Sequence, residues 1–184
     1  MKKIVLAALL GGLVVFVWGA FSHMALPLGE MGMSSLPNEE PVLSVLRNSV
    51  PNQGLYFFPG MESHNMSAPE RAAWEAKYRT GPAGLLIYRP VGGELLMPRM
   101  MIVELLTNML AALLAALIIT RLRATYFQRV MVVGSLGLFA WISISLSYWN
   151  WYDFPGLFVF AEGIDQVVGW LLGGLVISKL TPAS

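Results

Sequence analysis

Four long apolar runs stand out from an otherwise mixed chain: Ile4 to Phe21, Met100 to Thr120, Val130 to Tyr148 and Leu157 to Ser178. Each has about the 20 residues that an α-helix needs to cross a ~30 Å hydrocarbon core. Between the first two runs the pattern breaks into short blocks. Asn38-Glu39-Glu40-Pro41 predicts a helix start, with Asn38 as the cap and the acids complementing the helix dipole, running to about Asn48. Gly54 to Phe58, punctuated by Pro51 and by Pro59-Gly60, predicts a strand. Ser67-Ala68-Pro69-Glu70 has capping-box spacing and opens a second helix ending near Thr80-Gly81-Pro82, after which Gly84 to Tyr88 predicts a second strand.

The pattern predicts an all-α membrane protein: four transmembrane helices as two parallel-repeated hairpins, with a small α+β insertion in the first. The expected boundaries are helix one at 1–22, the insertion at 23–97, helix two at 98–121, a loop at 122–129 and helix three at 130–148. An aromatic turn at 149–155, helix four at 156–179 and a tail at 180–184 follow. The repeat rests on an ungapped match between the second and fourth runs. Glu104-Leu-Leu-Thr107-Asn108 falls on Glu162-Gly-Ile-Asp165-Gln166, and Leu113 to Leu122 falls on Leu171 to Leu180. Gly11, Leu13, Phe16, Trp18 and Ser22 of the first run fall on Gly134, Leu136, Phe139, Trp141 and Ser145 of the third. Matched orientations predict a pseudo-twofold axis along the membrane normal.

Composition agrees with this class. Of the 184 residues, 56% are hydrophobic and 12% charged, outside the range of soluble domains. The distribution of cations matters more than the net charge. Lys2, Lys3, Arg121, Arg123, Arg129 and Lys179 all fall on the side that holds the termini, with no acid beside them. The positive-inside rule then places both termini in the cytoplasm and residues 23–97 outside it. The first apolar run, about 18 residues, exceeds a signal-peptide core, so it reads as a retained anchor despite the cleavage-like Ala20-Phe21-Ser22. The chain has no cysteine, which removes disulfides, thiolate metal sites and thiol redox chemistry.

The candidate chemistry is intramembrane. Counting from Pro155 at 1.5 Å per residue, Glu162 lies roughly 10 Å and Asp165 about 15 Å into the span. An ionised carboxylate facing lipid at the centre of a helix costs on the order of 3 kcal/mol, so these groups must face protein or water, or be protonated. At 100° per residue, Glu162, Asp165, Gln166, Gly169 and Gly173 form one stripe. Glu104, Thr107, Asn108, Ala111 and Ala115 form its counterpart. Small residues at this spacing let helices approach closely, so the stripes are expected to line the seam of a bundle. With Ser143, Ser145, Ser22 and His23 at the same level, a polar chamber open to the outer side is expected. Three readings of Glu104, Asn108, Glu162, Asp165 and Gln166 stay open: interhelical hydrogen bonding, a binding site for a cation, proton or polar head group, and pairing with another subunit.

Other chemistry is thin. Met61 and Met66 flank His64, and with His23 these soft ligands are weak copper candidates, though Met is also an adaptable apolar filler. With two histidines, neither a bis-histidine haem nor a three-histidine zinc centre is expected from this chain alone, and no cofactor is implied. Val133-Gly134-Ser135-Leu136-Gly137 lies within a span and reads as helix packing rather than a nucleophile turn. No phosphate-binding or dinucleotide motif is present, and no basic patch with aromatics points to nucleic acid.

Val17-Trp18-Gly19-Ala20 followed by Leu26-Pro27, Asn38-Glu39-Glu40 before Gly54-Leu55-Tyr56, and Trp149 to Pro155 together resemble small bacterial inner-membrane proteins without assigned function. The resemblance implies a bacterial cytoplasmic membrane and four spans, and carries no activity or site residue. Asp153 stands where the aromatic motif leads us to expect glycine. The expected role is a non-catalytic accessory or structural subunit, packed against other membrane proteins or itself. A small transport or ligand-binding bundle is the alternative, and a membrane enzyme comes third.

Overall fold

The structure, a computed structural model, describes residues 1–61, 65–92 and 97–181. In chain order its elements are α1 (Lys2–Met24), a 3₁₀ turn (Pro27–Gly29), α2 (Glu39–Ser49), β1 (Gly54–Phe58), α3 (Ala68–Thr80), β2 (Gly84–Tyr88) and α4 (Met97–Ile119). Then come α5 (Tyr126–Ala140), a π-helical turn (Trp141–Ser145), α6 (Leu146–Tyr152) and α7 (Gly156–Leu180). Four helical stretches are long and apolar enough to cross a membrane: Lys2–Met24, Met97–Ile119, Tyr126–Tyr152 and Gly156–Leu180. The mostly helical architecture and small sheet expected from the sequence are both present. The chain divides into two compact units, Met1–Ser34 with Leu95–Ser184, and Ser35–Glu94.

In the helical unit, α1 packs extensively on α4 and α7, and α7 on α5, whereas α4 and α5 meet only slightly. The helices thus follow one another in the order α4, α1, α7, α5. At the end where α1 begins and α7 finishes, here the terminal end, all four share a core. Ala7, Ala115, Ala116, Ile119, Val133 and Ile177 are fully buried there. Small side chains set the spacing, as the glycine and alanine stripes predict. A Cβ on Gly173 would lie 2.7 Å from Val15 and one on Gly169 3.0 Å from Trp18, so α7 and α1 approach as closely as glycine permits.

Toward the opposite, distal end, α4 departs from its neighbours. A Cβ on Gly12 would stand 2.5 Å from Met109 Cα, which is backbone against backbone. Seven residues on, and therefore on nearly the same face of α1, Gly19 has nothing within 4 Å of its Cβ position. The buried residues of α4 are Ala112, Ala115, Ala116 and Ile119, all in its terminal half. The helices cross near Gly12 and Met109 and diverge beyond.

Several element ends differ from the sequence expectation, each for a local reason. Helix three begins at Tyr126 rather than 130, because Thr125 and Gln128 form a capping box. That brings Arg129, expected in a loop, into the first turn of α5. The aromatic stretch expected as a turn from 149 stays helical to Tyr152, and the chain reverses over Asp153 to Pro155. Asp153 has φ 54°, the left-handed conformation that glycine adopts most easily and aspartate tolerates, which accounts for an expected glycine there. The segment after α1 stays with the helices as far as Ser34. Gly32, at φ 80°, lets its backbone lie against Phe158, where a Cβ would meet Phe158 N at 2.6 Å.

The smaller unit holds an antiparallel pair, Gly54 opposite Tyr88 through Phe58 opposite Gly84. Trp74 Nε1 of α3 donates to the Pro59 carbonyl at 3.0 Å, and Tyr78 stacks on Phe57. The Ser67 amide and hydroxyl both donate to the Glu70 carboxylate at 2.7 Å, the box that the spacing predicts. Asn38 differs from expectation: it takes the left-handed conformation at φ 50° and makes no side-chain cap. Neither α2 nor α3 buries a residue, in line with the small core expected of so short a segment.

Candidate functional site

The distal end gathers most of the polar side chains that the sequence singles out, because α1 ends there, α4 begins there and α7 enters there. Ser22, fully buried on α1, donates its hydroxyl to Asp165 Oδ1 of α7 at 2.5 Å. The Ser22 oxygen lies 3.1 Å from His23 Nδ1, which is also 3.0 Å from the Gly19 carbonyl. A carbonyl can only accept, so the Nδ1–H tautomer of His23 satisfies both contacts. Trp18 Nε1 donates to the Asp165 carbonyl at 3.1 Å. Asp165 is thereby held at its carboxylate and its backbone by α1.

On α4, Asn108 Nδ2 donates to Glu104 Oε1 at 3.1 Å, one turn apart, and Thr107 Oγ1 bonds the Glu104 carbonyl at 2.9 Å. These partners are all intrahelical. Glu104, Asn108, Asp165 and Gln166 face a common cavity of about 50 Å³ whose walls also include Val15, Trp18, Gly19 and Trp170. It is little larger than the ~30 Å³ a water molecule occupies in the liquid. Gly19 borders it, in the gap left where α4 departs from α1. Glu104 and Thr107 are nonetheless exposed on the outside of the unit, and Asn108 partly so.

The expected single chamber is divided. Glu162 does not join the other four residues; it lines a second cavity of about 140 Å³ with Ile144, Ser145, Tyr148, Phe154, Phe158 and Val159. Helical geometry explains the separation. Asp165 and Gln166 continue into the Gly169 and Gly173 face packed on α1, while Glu162 sits one turn after Phe158 and three residues after Val159, toward the π turn and α6. The π turn fixes that side. Trp141 Nε1 donates to the Val159 carbonyl at 2.7 Å, and its indole lies where a Cβ on Gly163 would stand at 2.8 Å. A π turn of this kind resets the facing of the helix beyond it.

The copper candidates Met61, His64, Met66 and His23 fall partly outside what the structure describes. His64 lies outside the described residues, and His23 is engaged with Ser22 and Gly19. No group of three or more His, Asp or Glu among the described residues is placed to hold a metal ion. Sequence reasoning counted Arg129 only as a loop cation and missed its burial: it is 4% exposed and donates from Nη2 to the Thr181 carbonyl at 3.2 Å and to the Thr181 hydroxyl. A cation there complements the C-terminal end of α7. Its place in the first turn after a Thr-x-x-Gln box was the available signal. The chain matches no protein-family model, no curated protein and no solved structure.

Proposed function

We propose that this chain is a non-catalytic subunit of a membrane protein complex, docked through the distal half of α4. The observation that carries the reading is the exposure of Glu104 and Thr107 on a helix long and apolar enough to cross a membrane, where α4 diverges from α1. An ionised carboxylate left against lipid costs on the order of 3 kcal/mol near a span centre, and its removal from lipid by a partner would supply a comparable driving force. The only side-chain partner of Glu104 among the described residues is Asn108, one turn away. No Lys or Arg of α1, α5 or α7 lies at the depth of Glu104. The partner surface is therefore a transmembrane helix offering a basic or hydrogen-bond-donating side chain at that level.

The parallel repeat belongs to the same proposal. A pseudo-twofold axis would give α4 and α5 an interface equivalent to that between α1 and α7, yet α4 and α5 meet only slightly. The unfilled seam is where the partner helix inserts. A bacterial cytoplasmic membrane with both termini inside, as the positive-inside rule suggests, completes the reading.

Affinity purification in a mild detergent tests it. Wild type is expected to carry a stoichiometric membrane partner, or a second copy of itself, and Glu104→Leu is expected to lose it while Phe139→Leu, a change on an exposed face of α5, retains it. Retention of the partner by Glu104→Leu would refute the assigned surface.

A further inference from the structure

We propose that the Glu162 cavity binds a quaternary ammonium group, as a site separate from the α4 surface. The cavity lies at the distal ends of α6 and α7, where Tyr148, Phe154 and Phe158 form its aromatic lining and Glu162 its charged one. The rings are held in place by one another: Tyr148 stacks on Phe154 with centroids 5.3 Å apart, and Phe154 meets Phe158 at 5.6 Å. They are also fixed by the backbone. Asp153 in its left-handed turn delivers Phe154 back over Tyr148, the Gly32 backbone lies on Phe158, and the π turn orients Ser145 and Tyr148 toward α7.

Composition decides the ligand class. Aromatic rings attract cations through their quadrupole when the charge lies within about 6 Å of the centroid, and a nearby carboxylate adds directly to that attraction. A calcium or magnesium ion takes six or more oxygen ligands, and a primary ammonium needs acceptors for three N–H groups. This lining offers two carboxylate oxygens and the hydroxyls of Ser145 and Tyr148, four oxygens in all and fewer than calcium or magnesium takes, while Ile144, Phe154, Phe158 and Val159 make the rest of it apolar and better suited to methyl groups than to N–H groups. A methylated ammonium asks for no hydrogen bonds and for apolar contact around a positive centre, which this cavity supplies. At about 140 Å³ the space is several water volumes but well below the ~300 Å³ of a typical whole-ligand pocket, so it takes a head group. Glu162 has no hydrogen-bond donor of its own among the described residues; Asp165 and His23 are the titratable groups within electrostatic reach. The head group belongs either to a free cation or to a lipid at the membrane surface.

The full chain in phosphatidylglycerol nanodiscs, which contain no ammonium, is titrated with tetramethylammonium chloride and followed by saturation transfer to the methyl protons. Saturable binding that sodium chloride does not displace is expected. Glu162→Gln and Phe154→Leu are each expected to weaken it roughly tenfold, the scale of one desolvated cation–π or charge contact. Phe139→Leu, exposed on α5 and outside the cavity, is expected to leave it unchanged, and thermal unfolding confirms that each variant is folded. Repeating the titration in discs containing phosphatidylcholine separates the sources: loss of tetramethylammonium binding there identifies a lipid head group, and retained binding a free cation. No saturable binding to the wild type, or wild-type affinity retained in both Glu162→Gln and Phe154→Leu, would overturn the proposal. Equal or tighter binding of ethylammonium would overturn the assignment to a methylated head. Loss of the α4 partner in the preceding experiment leaves this result untouched, so the two readings fail independently.

Discussion

Alanine at Gly12 and alanine at Gly19 are the same chemical change on nearly the same face of α1, two turns apart, and should have opposite effects. At Gly12 the new methyl would stand 2.5 Å from Met109 Cα, 2.6 Å from its nitrogen and 2.9 Å from the Asn108 carbonyl carbon, against the 3.4 Å at which ordinary contact begins. Those atoms are helix backbone and cannot rotate away, so α4 must move outward by nearly an ångström. Overpacking of this kind costs about 1–3 kcal/mol. At Gly19 nothing lies within 4 Å, so the methyl is accommodated, and replacing a helical glycine by alanine favours the helix by about 0.5–1 kcal/mol. Unfolding by sodium dodecyl sulfate titration, followed by tryptophan fluorescence, reads the difference. Gly12→Ala should unfold at markedly lower detergent fraction than wild type, and Gly19→Ala at the same or higher. Equal behaviour of the two variants would refute the crossing of α1 and α4 at Gly12 and their divergence beyond it. Because Gly19 borders the gap beside Glu104, its alanine variant should also weaken partner capture while leaving the isolated chain stable.

Three further outcomes follow from individual contacts. Ser22→Ala removes the donor to Asp165 from a fully buried position and should destabilise the helical unit by about 1–3 kcal/mol in the same unfolding assay, whereas Asp165→Asn, which keeps the volume, should cost less. Arg129→Met should destabilise by a similar amount, because it strips the Thr181 carbonyl and hydroxyl of their donor at the end of α7, and amide exchange should rise there first. Glu70 is held below the ordinary glutamate range by its hydrogen bonds from the Ser67 side chain and backbone. Its contribution to α3 is therefore present above the unfolded pKa and lost as pH falls through the lower folded value; NMR titration should show the Glu70 pKa rising toward the ordinary range in Ser67→Ala.

Periodicity and length made the four apolar helices legible, because a ~30 Å span leaves few alternatives to a 20-residue apolar helix. Turn residues did the same for the small unit, whose strands run from Gly54 to Phe58 ahead of Pro59 and from Gly84, after Pro82, to Tyr88. What one dimension concealed was the partition of the polar side chains. Glu162 and Asp165 are three residues apart and share a stripe at the resolution of a helical wheel. Which of them faces α1 and which faces α6 depends on where Trp141 and the π turn rotate the neighbouring helix, and no local pattern encodes that. The Ser22 bond to Asp165 was half visible, since both were expected at one level, but depth does not fix azimuth. The matched glutamates of the apparent repeat led to an expectation of one shared chamber. Glu104 and Glu162 instead face different surroundings, because the α4 to α1 crossing opens at the distal end and the α7 to α5 packing does not.

Photo-crosslinking in native membranes tests the central claim most directly. A photoreactive amino acid is placed at Val103 or Thr107, on the exposed distal face of α4, and in parallel at Phe139 of α5. The account predicts one discrete protein adduct from the α4 positions, stoichiometric on intact-mass analysis and abolished by Glu104→Leu, with only lipid adducts from Phe139. Lipid adducts alone at all three positions, with the chain recovered as a monomer, would contradict it.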